Sequence, residues 1–112
     1  MADYLNSDNL GPDGLMGLGF PIVSVFDKPT VFENLVTSHQ TTKAVFAVKL
    51  NTHDPELTLG GLNLGAFDGT PVYTPVTQDG FWQIKFSSFK VGDSVVAGPT
   101  HALVDTVRLE SI

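Results

Sequence analysis

The clearest chemical signal lies near the end of the chain. Ala102-Leu103-Val104 is an apolar run, and Asp105-Thr106 follow it directly. The run predicts a strand, and the carboxylate is expected where that buried strand ends. Burying a carboxylate is costly unless hydrogen bonds or a catalytic task compensate. A carboxylate in such a position can take up or release a proton, and the adjacent hydroxyl can support it. Asp105 and Thr106 are therefore the candidate catalytic residues.

Other side chains offer less. His39, His53 and His101 are far apart on expected loops, and the chain has no Cys, so no metal site and no cofactor are expected. Gly14, Gly17 and Gly19 run in the wrong order for a dinucleotide fingerprint, and no βαβ unit follows them. Ser87-Ser88 lacks the surroundings of a nucleophile elbow. Phe81-Trp82 opens an expected strand, and two readings stay open for it. The rings could stack on a sugar as a ligand site, or they could pack as core.

The elements that must position these residues belong to one domain, residues 1–112, the natural count for this length. With 11 Gly and 7 Pro the chain has too many turn formers to be mainly helical, and eight Phe can supply a core. A net charge of -6 argues against nucleic acid or an anionic membrane as partner. No apolar stretch approaches the ~20 residues that span a bilayer. Residues 1–8 lack the basic-then-apolar layout of a signal peptide, so the compartment stays open.

Residues 1–14 read as a loop ending in Gly11-Pro12-Asp13-Gly14. One helix is expected over about 30–38. Thr30 and Glu33 have capping-box spacing after Pro29, and Val31/Leu35 with Phe32/Val36 form an apolar stripe. The remainder reads as strand. Residues 44–50 are apolar on both faces, which predicts a strand covered on both sides. Residues 56–59 alternate and stop at Gly60-Gly61. Pro71 and Pro75 mark residues 71–76 as an edge or irregular strand. Asp79-Gly80 turns into residues 81–86, with Trp82, Ile84 and Phe86 on one face. Residues 91–94 turn again into a short strand at Val95-Val96.

Taken in order, these stretches resemble one family. Asp13-Gly14-Leu15-Met16-Gly17-Leu18-Gly19, Phe32-Glu33-Asn34-Leu35-Val36, Phe46-Ala47-Val48-Lys49-Leu50, Glu56-Leu57-Thr58-Leu59-Gly60-Gly61, Tyr73-Thr74-Pro75-Val76 with Gly80-Phe81-Trp82-Gln83-Ile84, and Ala102-Leu103-Val104-Asp105-Thr106 are similar to pepsin-like aspartic peptidases. The wording is nearest the secreted fungal members. The resemblance implies a mainly β fold, a fragment of the pepsin-like acid protease fold with one short helix. It places the chain at the end of the first lobe and the start of the second, in a protein roughly three times as long. It makes Asp105 the second catalytic aspartate and a peptide or protein the substrate if the chain is active. Asp13 precedes a structural loop in this scheme and reads as a turn former before glycine.

Departures from the pattern weigh on activity. The first Asp-Thr-Gly and the flap with its tyrosine do not occur in these residues. Aspartic peptidases work with two carboxylates sharing a proton around one water, and this family is the standard example of that rule. The second motif reads Asp105-Thr106-Val107, and a β-branched residue suits poorly a loop in which glycine takes positive φ. Residues 107–112 match nothing in the family. The expectation is a truncated peptidase relative, inactive as a monomer. The alternative is a non-catalytic, oligomeric binding protein, lectin-like or immunomodulatory, using aromatic loops such as Phe81-Trp82. A fragment of a larger sheet also leaves apolar surface and strand edges bare, which predicts a homo-oligomer, most simply a two-fold dimer. Such a dimer could bring two copies of Asp105 together.

Overall fold

In the computed structural model, which describes residues 15–106, backbone hydrogen bonds are organised by strands and one short helix. The helix α1 spans Val31–Thr37 and starts as its sequence dictates. The Glu33 amide donates to Thr30 Oγ1 at 3.2 Å, and the Thr30 amide donates to Glu33 Oε2 at 2.9 Å. Two of the amides that a helix start leaves without partners are thus satisfied reciprocally. The end of α1 is equally defined. His39 takes φ 58°, its amide donates to Val36 O at 3.0 Å, and the Gln40 amide donates to Leu35 O at 2.9 Å. That is a Schellman motif with histidine where glycine is usual.

Six strands follow among the described residues: β1 Phe46–Lys49, β2 Glu56–Leu59, β3 Gln83–Phe86, β4 Phe89–Val91, β5 Ser94–Ala97 and β6 Thr100–Leu103. They pair as three antiparallel ribbons, β1 with β2, β3 with β6, and β4 with β5. Each strand therefore has one neighbour and one open edge. Short 3₁₀ turns occupy Pro21–Val23 and Leu64–Ala66. None of the described helices is long and apolar enough to cross a membrane. The chain is mainly β with one short helix, as its pattern predicts.

In the β1–β2 ribbon, Phe46 pairs with Leu59, Ala47 with Thr58, Val48 with Leu57 and Lys49 with Glu56. Side chains alternate across a strand, so Phe46, Val48, Leu57 and Leu59 share one face. The opposite face carries Ala47, Lys49, Glu56 and Thr58. The apolar face is the barer one. Val48, Leu57 and Leu59 are 38%, 43% and 37% exposed, and only Phe46 is capped, by Phe32 of α1 at a centroid distance of 5.2 Å. The expectation of a strand covered on both sides over residues 44–50 fails here. The ladder holds only Phe46–Lys49, and Leu50 is 70% exposed, because among the described residues only α1 and Trp82 pack on the apolar face, at its Phe46 end.

Two further expectations change. Residues 71–76 form no ladder, since Pro71 and Pro75 lack amide protons to give to a neighbour. Strand β4, Phe89–Val91, alternates over only three residues, too short a run to be read from the pattern alone, and it is defined by its pairing with β5. Gly92 at φ 59° opens the two-residue loop between the paired Val91 and Ser94, the type II′ arrangement that matches strand twist. The predicted loop over 1–14, Asp13, Val107 and the 107–112 tail lie outside the described residues.

Gly60 is the one fully buried residue among those described, and it pins the end of β2. Its amide donates to Val45 O at 2.8 Å, and its carbonyl accepts from Thr42 Oγ1 at 2.8 Å. At φ 85°, a Cβ would lie 3.1 Å from Thr42 N and 3.2 Å from Thr41 Cβ. Gly60→Ala is expected to lose stability by at least ~1–2 kcal/mol, the usual penalty for left-handed backbone in a residue with a Cβ. Gly61→Ala, whose Cβ would meet nothing within 4 Å, should stay within about 0.5 kcal/mol of the parent. Urea midpoints of the two variants measure the contrast.

Candidate functional site

Asp105 is reached from β3 and β6. Gln83 pairs with Leu103, Ile84 with Ala102, Lys85 with His101 and Phe86 with Thr100. Ile84, Phe86 and Ala102 point to the half-buried face, while Lys85 and His101 point to solvent. The ladder runs one step beyond the strand, as the Val104 amide donates to Trp82 O at 2.9 Å. Asp105 is the next residue along. Its position is therefore set by the backbone of Trp82.

Trp82 is in turn held on three sides. Its ring lies 4.3 Å from that of Phe20 and 5.4 Å, edge-on, from that of Phe46. Its indole Nε1 donates to Leu18 O at 2.8 Å. Buried or half-buried indoles require such an acceptor. The chain of rings Phe32, Phe46, Trp82 and Phe20 thus joins α1, β1, the start of β3 and the glycine-interrupted segment before residue 21. Of the two readings of Phe81-Trp82, this geometry gives Trp82 a packing role, with its ring against Phe20 and Phe46 and its donor engaged. Phe81, 42% exposed, stands outside the cluster.

The loop before β3 is closed by Thr77. Its amide donates to Gln83 O at 2.9 Å and its hydroxyl to Gln83 Oε1 at 3.0 Å. Gly80 sits at φ 87°, where a Cβ would collide with Ile22 Cγ2. The Asp79-Gly80 turn therefore lets the 3₁₀ turn Pro21–Val23 approach the loop. Sequence reasoning identified the turn but not what it accommodates.

Asp105 and Thr106 adjoin in space as in sequence, and both are exposed. The expectation of a carboxylate at the end of a buried strand is corrected here. Val104 is 57% exposed and Leu103 51%, at the end of a strand that pairs with β3 alone. Asp105 therefore sits in solvent-accessible surroundings. Two shallow surface grooves occur among the described residues, one between the Pro21–Val23 turn and α1, the other between that turn and the Asp79-Gly80 loop. Asp105 and Thr106 line neither. His39 serves as a helix cap, and His53 Nδ1 lies 3.1 Å from Thr52 Oγ1 in the β1–β2 turn. Among the described residues no three acidic, histidine or cysteine side chains are grouped to hold a metal.

Comparison with known proteins gives this arrangement its context. Residues 4–107 match the eukaryotic aspartyl protease family. The chain belongs to that family. It is 36% identical over 102 residues to cathepsin E of Rattus norvegicus, covering 84% of this chain and 25% of that protein. It is 35% identical over 95 residues to an aspartic protease of Phaffia rhodozyma, covering 84% of this chain and 24% of that protein. Cathepsin E-B of Xenopus laevis is 33% identical over 102 residues, with 84% and 25% covered. The chain thus spans about a quarter of the length of these relatives. Similarity at this level to a mammalian enzyme does not single out the fungal members.

Trp82 is the only tryptophan, so its fluorescence reports the ring cluster directly. Trp82→Ala is expected to destabilise by about 2 kcal/mol, below the roughly 3–5 typical of a fully buried ring because Trp82 is 36% exposed. Phe46→Leu should shift the Trp82 emission maximum, whereas Phe81→Leu should leave it in place.

Proposed function

We propose that Asp105 is one carboxylate of a water-activating pair in a peptide hydrolase, with Thr106 supporting it, and that these 112 residues as a monomer do not cleave peptides. The observation that carries this reading is the family match over residues 4–107, which takes in Asp105-Thr106. In such a pair one carboxylate is ionised and removes a proton from water. The other stays protonated, because two negative charges that close do not both persist. Asp105 supplies half of this chemistry, and the family pattern places no second catalytic aspartate elsewhere in the chain. A fungal origin rests on the wording of the motifs alone.

A second reading is an oligomeric protein without catalysis. It draws on the bare apolar face of Val48, Leu57 and Leu59 and on the open strand edges. Contiguous apolar surface of that kind marks association sites in soluble proteins. A lectin-like use of Trp82 fits less well, since its ring is already packed between Phe20 and Phe46. A two-fold dimer would also place two copies of Asp105 in one assembly, which joins the two readings.

An assay at acid pH on a denatured protein substrate, with and without a statine-type inhibitor, separates them. Silence at all concentrations is expected of the monomer. Inhibitor-sensitive cleavage that rises with the square of protein concentration and disappears in Asp105→Asn would instead identify a dimeric enzyme. On a sizing column at micromolar concentration the chain should elute above its monomer mass. Elution of a clean monomer contradicts the oligomer.

A further inference from the structure

We propose that the Glu56 carboxylate is an acid-sensitive latch that fastens the connection over residues 60–66 to strand β2 through the side chain of Asn63. Glu56 lies at the start of β2, and each of its oxygens has a separate duty. Oε1 accepts from Thr58 Oγ1 at 2.7 Å, two residues along the same face of the strand. Oε2 accepts from Asn63 Nδ2 at 2.9 Å, seven residues away and beyond the Gly60-Gly61 bend. Asn63 is held at its other end as well. Its Oδ1 accepts from the Gly65 amide at 3.1 Å and caps the 3₁₀ turn Leu64–Ala66. One planar amide group therefore connects a strand carboxylate to the start of the next turn.

Protonation disturbs this arrangement at a definite place. An ionised carboxylate only accepts, and its hydrogen bonds are roughly twice as strong as neutral ones. Once protonated, one oxygen becomes a donor. The Thr58 hydroxyl can rotate to accept that proton, but the Asn63 NH₂ group only donates. The bond to Asn63 loses its charge assistance, and the cap on Gly65 loses its support. The surrounding charges are few. Lys49 stands opposite Glu56 in register on β1, Asp54 in the adjoining turn lies 3.9 Å from Lys49 Nζ, and His53 of that turn contacts Thr52.

The direction of the response follows from the same contacts. The Thr58 hydrogen bond first and that of Asn63 second hold the Glu56 carboxyl below the ordinary glutamate value, against an opposing effect of desolvation that outweighs the added help of the Lys49 charge. A lowered carboxylate contributes stability that is complete above its unfolded pKa and is lost as pH falls through its folded pKa. The connection thus stays fastened at neutral pH and is released in acid, with a midpoint below that of an ordinary glutamate.

A pH titration of the isotope-labelled chain by NMR tests this without any substitution. The Asn63 side-chain NH₂ and the Gly65 amide should shift with the same midpoint as the Glu56 carboxyl carbon. Amides of α1, such as Asn34 and Ser38, should not move over that range. In Glu56→Gln the Asn63 and Gly65 responses should vanish. In Asn63→Ala the Glu56 midpoint should move up, and exchange of the Gly65 amide should quicken about fivefold, the factor for loss of a typical cap. Titration of Glu56 with Asn63 and Gly65 unchanged would overturn the proposal. So would simultaneous movement of the α1 amides, which would mark general acid unfolding.

Discussion

The described fold depends on the seat of one indole ring. Trp82 touches Phe20 and Phe46 with its ring and Leu18 with its N–H, and its backbone carbonyl takes the last ladder bond before Asp105. Phe46 passes the contact to Phe32 on α1. Segments separated by more than sixty residues in sequence are thus tied by a single side chain. Because Gly60 is the only buried residue among those described, these half-buried rings carry a large share of the long-range organisation. Asp105, the proposed catalytic carboxylate, is placed at second hand, through the backbone of a residue whose side chain does the packing.

Much of this was legible from residue types. Thr30 and Glu33 announce the start of α1 by their spacing, and the structure contains both bonds of the box. The alternation over residues 56–59 ending at Gly60 corresponds to β2 to the residue. What was not legible depends on neighbours. Residues 44–50 read as a strand covered twice, but apolar character records what a strand can bury and not what is present to cover it. Residues 71–76 read as a strand until two prolines removed the donors that a ladder needs. The left-handed turn at His39 was hidden as well, since that position is usually glycine. At the site, Asp105-Thr106 could be found from the apolar run ahead of them, whereas the exposure of that run could not, because apolar character does not say what covers a face.

The β1–β2 ribbon shows how a family fold distributes its surfaces. Its polar face gathers Lys49, Glu56 and Thr58 into hydrogen bonds and charge contacts, and its apolar face stands open beyond Phe46. A strand that is apolar on one side and polar on the other carries a face that a further layer of structure can cover. Relatives about four times as long match this region, in keeping with that reading. Membership of the aspartyl protease family and a mainly β architecture hold regardless of what covers the open face.

The segment between the two prolines has one more property. Val72 is 93% exposed and Tyr73 80%, so an aromatic and a β-branched residue stand side by side in water. Short stretches of that composition are the usual seeds of cross-β stacking. Pro71 and Pro75 bracket this one, and an imide nitrogen has no proton to give to a stacked neighbour. This exposed apolar pair is thereby a poor template for fibril growth, flanked on both sides by residues of the gatekeeper kind.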